Sequence, residues 1–124
     1  MYKILLIAIA GLFGTLTRYW MSGWGDRWWG GTFPFGTLLV NATGCFAIGF
    51  LFYVTEEKYL IDPAVRSAIL VGFLGGFTTF SSYAVQSFNL WRDGEIFVAG
   101  ANILASNVFG LVLVWAGYIL ARTI

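Results

Sequence analysis

Gly72-Phe73-Leu74-Gly75-Gly76-Phe77-Thr78-Thr79-Phe80-Ser81-Ser82-Tyr83 lies near the middle of an apolar run that extends over residues 63–90. Such a run exceeds the roughly 20 residues that a helix needs to cross a hydrocarbon layer. The stretch therefore predicts a membrane helix with a weak centre, because adjacent glycines and paired hydroxyl residues both disfavour helix there. Carbonyls released at membrane depth are tolerated only when they are buried in protein, line a cavity or hold an ion, and nearby hydroxyls can satisfy some of them. The rival reading is that the glycines only permit close packing and the hydroxyls only bond back to the previous turn. Either reading places the segment inside a membrane, against other helices.

The rest of the chain agrees. Of 124 residues, 59% are hydrophobic and only 10% charged, a mix that no soluble domain of this size could bury. Further apolar runs cover residues 2–21, 34–54 and 95–122, giving an all-α integral membrane protein of four spans in a single domain, 1–124, with a broken third helix. The first run is too long for a signal-peptide core and lacks a small-x-small cleavage site, so it is read as a retained span. The connection over 22–33 holds Gly23, Gly25, Gly30 and Gly31 beside Trp24, Trp28 and Trp29, and is expected to lie along the membrane surface, where tryptophan prefers to sit. Pro34 and Asp62-Pro63 open the second and third helices. Asp93-Gly94-Glu95 makes a turn so short that the third and fourth must be antiparallel neighbours.

An even number of spans puts both termini on one side. Lys3, Lys58, Arg66 and Arg122 then fall on that terminal side, and Arg18, Arg27 and Arg92 on the other. This bias is too small to direct insertion strongly, which leads to the expectation of a dual-topology antiparallel homodimer. Dimerisation would also supply the wall that a thin four-helix bundle lacks. Gly72 with Gly76, and Gly110 with Gly117, stand at spacings that allow helices to approach closely.

Several functions are excluded by what the chain lacks. Its seven basic residues are scattered and form no stripe for a nucleic acid. One cysteine, Cys45, and no histidine leave no disulfide framework and no His-containing metal site, so Cys45 is read as a small residue at a helix contact. Every acidic residue lies in a loop or at a helix end. Without paired carboxylates, or a nucleophile with a base, general acid–base and covalent catalysis have no participants, so an enzyme is not expected. A proton-coupled exporter would be expected to carry a carboxylate within a span. Passive conduction is the class that remains.

Polar residues that could serve it are few. Phe80 and Tyr83, three residues apart, share a helix face that Phe77 can join, and a ring edge contacts an anion weakly without trapping it. Ordinary apolar packing is the plain alternative. Asn41, in Thr37-Leu38-Leu39-Val40-Asn41-Ala42-Thr43-Gly44, could replace part of an anion's water shell or act as glue between helices. Asn102, Ser106 and Gly110 recur every four residues on one face of the last helix. Arg18, among hydroxyl neighbours, could cap carbonyls or shape an anion-attracting vestibule; Arg66 is expected to snorkel to the surface.

With GLFGTLTRY in the first helix, FGTLLVNATG in the second and GFLGGFTTFSSY in the third, the chain resembles the Fluc, or CrcB, family of fluoride channels over essentially its full length. The resemblance implies a dual-topology homodimer in the cytoplasmic membrane, with two parallel fluoride pores that exclude chloride and relieve fluoride toxicity. It places Asn41 and Phe80 on the pore, Tyr83 where the family has a second phenylalanine, and Ser81, Ser82 and Ser106 at hydroxyl positions along the path, with Asn102 on the helix-four track. It also implies a central Na+ caged by the backbone carbonyls of Gly75 and Thr78 from both subunits, structural and not transported. Asn102, Gly110 and Val114 stand where some relatives have Tyr, Ser and Thr, so the polar track of helix four is thinner here. The implied partners are fluoride, the lipid bilayer and a second copy of the chain. A small proton-coupled transporter, or a non-conducting subunit of a larger assembly, are the competing readings.

Overall fold

A computed structural model describes residues 1–59 and 61–124. Helix α1 (Tyr2–Trp28) forms the first span, and α2 (Phe35–Phe52) forms the second, continuing as a π-helical segment, Tyr53–Lys58. The third span is built from α3 (Pro63–Ser67), a π-helical segment (Ala68–Phe73), α4 (Leu74–Phe77) and α5 (Phe80–Arg92). Helix α6 (Ile96–Thr123) is the fourth. All four are long and apolar enough to cross a membrane.

Helix α1 runs past the expected end of the first apolar run, to Trp28, so part of the connection predicted to lie on the surface is helical. Close packing outweighs the glycines there. Gly25 is buried against Gly36, where a Cβ would come within 2.9 Å of the Gly36 Cα. The Asp26 carboxylate accepts the Gly36 N–H at 2.8 Å and so caps the start of α2. Trp24 packs edge-on against Trp29, at a centroid distance of 5.9 Å.

The outer surface is apolar. Leu5, Ile9, Phe13, Leu104, Leu111 and Trp115 are all exposed, the reverse of a water-soluble bundle and the arrangement that lipid requires. With lipid outside, apolar burial does little to hold helices together, so packing falls to backbone approach between small residues. The first span lies against the third through such contacts: a Cβ on Gly72 would stand 2.7 Å from the Ile7 carbonyl, and one on Gly76 2.7 Å from that of Gly11. The second lies against the fourth, with Gly117 on the Phe46 carbonyl, Gly49 on that of Val114, and Gly110 beside the Cys45 sulfur. Val40, Leu74 and Phe77 form the small core where the second and third spans meet.

Turn chemistry sets the ends. Asp62 accepts the Ala64 and Val65 N–H groups at 2.9 and 3.2 Å, capping α3 one residue before its proline. Gly94, at φ 85°, makes the reversal that brings α6 back along α5. At the terminal side Arg66 pairs with Glu56 at 3.0 Å, and the Tyr118 hydroxyl donates to the Glu57 carboxylate.

Candidate functional site

Between α4 and α5 the backbone is extended at two residues, Thr78 (φ −82°, ψ 157°) and Thr79 (φ −148°, ψ 109°). The Thr78 N–H and hydroxyl both donate to the Leu74 carbonyl, at 2.9 and 3.0 Å, which closes α4. Thr79 is held from another helix. Its N–H donates to Asn41 Oδ1 at 2.8 Å, and its carbonyl accepts from Asn41 Nδ2 at 3.0 Å. The Asn41 side chain, halfway along the buried side of α2, thus acts as a substitute peptide group for the third span. Thr79 then caps α5: its Oγ1 accepts the Ser82 N–H at 3.2 Å and its hydroxyl donates to Ser82 Oγ at 2.9 Å, with Ser81 Oγ 3.5 Å away.

This pattern has a definite result for two carbonyls. In an unbroken helix the Thr79 N–H would serve the Gly75 carbonyl, and the Ser82 N–H that of Thr78. Here Asn41 takes the first donor and the Thr79 side chain the second. Gly75 is exposed, and a Cβ there would find nothing within 4 Å, so the chain beside it is open.

A cleft of about 340 Å3 opens against this segment, lined on the polar side by Asn41, Thr78, Thr79, Tyr83, Ser106 and Asn107. Gly75 and Phe80 also face it. The Phe80 and Tyr83 rings lie 5.5 Å apart at 56°, and Phe80 is 80% exposed. Phe77 does not join them. It is buried, stacked on Phe73 at 6.1 Å, because the two extended residues break the helical phase between positions 77 and 80.

On α6 the polar residues divide. Ser106 reaches the cleft, whereas Asn102 is buried and donates to Ser87 Oγ at 2.9 Å; the Ser87 hydroxyl in turn donates to the Tyr83 carbonyl at 2.8 Å. Ser106 Oγ stands 3.5 Å from Asn102 Oδ1, linking the two. Ser81 and Ser82 sit at the start of α5, outside the cleft lining, and Arg18 lies half-buried on α1, away from it. Asn107, which the every-fourth-residue stripe passes over, lines the cleft and donates to the Tyr83 hydroxyl at 3.2 Å. An amide in the middle of an apolar helix is the signal that singles it out. A second cleft, of about 530 Å3, shares Ile48 with the first and continues toward the terminal side between Gly49, Phe52, Val114, Trp115 and Tyr118. Its walls are almost entirely apolar.

The arrangement can therefore do two things. It offers neutral hydrogen-bond donors and ring edges, with no cationic side chain, along a mid-membrane cleft, and it presents carbonyl oxygens without helical partners beside that cleft.

Comparison with known proteins gives a single answer. The family described as CrcB-like protein, Camphor Resistance (CrcB), matches residues 5–118. The chain is 41% identical over its whole length to a fluoride-specific ion channel FluC of Geotalea uraniireducens, covering all of that protein. It is 42% identical to the protein of that name in Desulforapulum autotrophicum, over 99% of this chain and 98% of the relative. The same identity, 42%, holds for the one in Methylocella silvestris, over 97% and 93%.

Proposed function

Because this chain belongs to the CrcB family, a family of ion channels and not of enzymes, we propose that it is a fluoride-selective channel, a multi-pass protein of the cytoplasmic membrane that lets accumulated fluoride leave the cell passively. The observation that carries this reading is the mid-membrane cleft, where Tyr83, Ser106 and Asn107 offer neutral polar contacts beside the exposed Phe80 ring. Fluoride is small and strongly hydrated. A selective passage must replace its water with compact donors without holding it so firmly that exit stalls. Hydroxyl, amide and ring-edge contacts meet that condition, and a full positive charge beside the path would not.

The working unit in this reading is an antiparallel homodimer with two pores. A single copy leaves Gly75, Phe80 and Ser81 uncovered midway through its third span, and an inverted second copy would cover them and complete each path. Asn41, Phe80 and Tyr83 lie on that path, Ser81, Ser82 and Ser106 supply hydroxyls near it, and Asn102 orients Ser106 and α5 from beneath. Arg18, on α1 and outside the cleft, takes no part in that path.

The break in the third helix has a second task. The Gly75 and Thr78 carbonyls are among those that the break leaves without helical donors, which fits a hard cation such as Na+ bound by backbone oxygen. Bound there, such an ion would lock the two copies together without being transported.

Fluoride and chloride efflux from liposomes, measured with no proton gradient, tests the proposal. Fluoride-selective flux is expected; flux that requires a proton gradient would favour a coupled transporter, and absence of flux from the purified protein a non-conducting subunit.

A further inference from the structure

We propose that Asn107 is a positioning residue that turns Tyr83 into a hydrogen-bond donor to the anion. This rests on the reading of the cleft as fluoride's path. Asn107 lies on an exposed face of α6, yet its side chain is fixed. Its Nδ2 stands 2.7 Å from the Ile103 carbonyl, one turn back along the same helix. A carbonyl only accepts, so the atom facing it must be the nitrogen, and the flipped amide is ruled out. The second Nδ2 hydrogen is then left for the Tyr83 hydroxyl at 3.2 Å.

The consequence concerns the phenol's own hydrogen. Because the Tyr83 oxygen accepts from Asn107, its O–H must point elsewhere, and among the described residues it meets no acceptor. Both side chains line the cleft. A phenol that accepts an amide hydrogen bond is polarised into a stronger donor, and a donor bonded to an anion makes one of the stronger neutral-to-charged contacts. Phe80, 5.5 Å away, offers only ring edges. The two aromatic residues are therefore unlike: one brushes the anion, and the other donates to it through a hydroxyl aimed by Asn107. Such a contact favours the smallest, most charge-dense halide.

The test is a double-mutant cycle on the full-length protein in liposomes, reading the half-saturating fluoride concentration and the fluoride-to-chloride flux ratio for wild type, Tyr83→Phe, Asn107→Ala and the double variant. Tyr83→Phe should raise half-saturation about ten-fold, as loss of a hydrogen bond to a charged group would. Asn107→Ala should raise it about three-fold alone and not at all in the Tyr83→Phe background. Should the alanine variant fail to fold, Asn107→Ser replaces it, since serine can still bond the Ile103 carbonyl while withdrawing the donor from Tyr83. An Asn107 effect of equal size in both backgrounds, or an unshifted Tyr83→Phe, overturns the proposal while the channel reading stands. A wild type that passes no fluoride overturns the channel reading itself, and this one with it.

Discussion

Asn41 grips Thr79 by both of its backbone polar groups, at 2.8 and 3.0 Å, although the two residues are 38 positions apart in the chain. A side chain on the second span thereby satisfies the peptide that the third span leaves out of its ladder. The same residue borders the cleft.

Replacing Asn41 separates the two tasks. Asn41→Ala strands a part-buried N–H and a carbonyl, each worth about 1–3 kcal/mol, and should lower the thermal midpoint in detergent as well as abolish fluoride flux. Asn41→Asp keeps the acceptor for the Thr79 N–H but sets a carboxylate oxygen against the Thr79 carbonyl and a negative charge beside the path. Fluoride flux should vanish even in protein that elutes as wild type; retained flux would remove Asn41 from the site.

Phe80→Ile leaves the apolar character of the position and removes the ring edge. Phe80 is exposed in the single chain and outside its core, so the fold of each copy should be unaffected. Flux should fall by at least about ten-fold, equivalent to ~1.4 kcal/mol of barrier. Unchanged liposome efflux would show that the ring only packs.

Gly76→Val and Gly100→Ala make a matched pair for the packing argument. A Cβ at Gly76 stands 2.7 Å from the Gly11 carbonyl, whereas one at Gly100 meets nothing within 4 Å. The first should destabilise the protein by about 1–3 kcal/mol through overpacking of α1 on the third span, and the second should leave the melting midpoint near wild type. Equal midpoints would count against backbone approach as the glue of this bundle.

The dual-topology assembly is testable without structure. Fusing a reporter active only in the cytoplasm, and separately one active only outside it, to the C-terminus should give signal from both, because Lys3, Lys58, Arg66 and Arg122 barely outweigh Arg18, Arg27 and Arg92. Signal from one alone would rule it out. Adding lysines to the 22–33 connection should shift the balance toward retention of that loop in the cytoplasm.

The four spans were legible because lipid imposes a length and apolarity that few sequences meet by accident, and because Asp62-Pro63 and Asp93-Gly94 carry turn chemistry that acts within a few residues. What escaped reading depends on partners distant in sequence. Gly23 and Gly25 suggest an early end to α1, but Gly25 seats against Gly36 and the helix continues to Trp28. Phe77 has the spacing to join Phe80 and Tyr83, yet the extended Thr78 and Thr79 turn it into the core. Asn41 was visible as an oddity in an apolar helix, while its hold on Thr79 was not. Asn107 lies one position off the Asn102–Ser106 stripe, and only the approach of Tyr83 from α5 gives it meaning.

The two clefts that share Ile48 are unlike: one is bordered by amides, hydroxyls and aromatic rings, the other by Phe52, Val114 and Trp115. Were the two to form one path for an anion, its unlike halves would make a lopsided barrier, and a lopsided barrier passes current more readily in one direction. In the antiparallel assembly proposed above, the second pore runs the opposite way. Whatever rectification one such pore had, its inverted twin would cancel, so the proposed pair is expected to conduct symmetrically with respect to voltage.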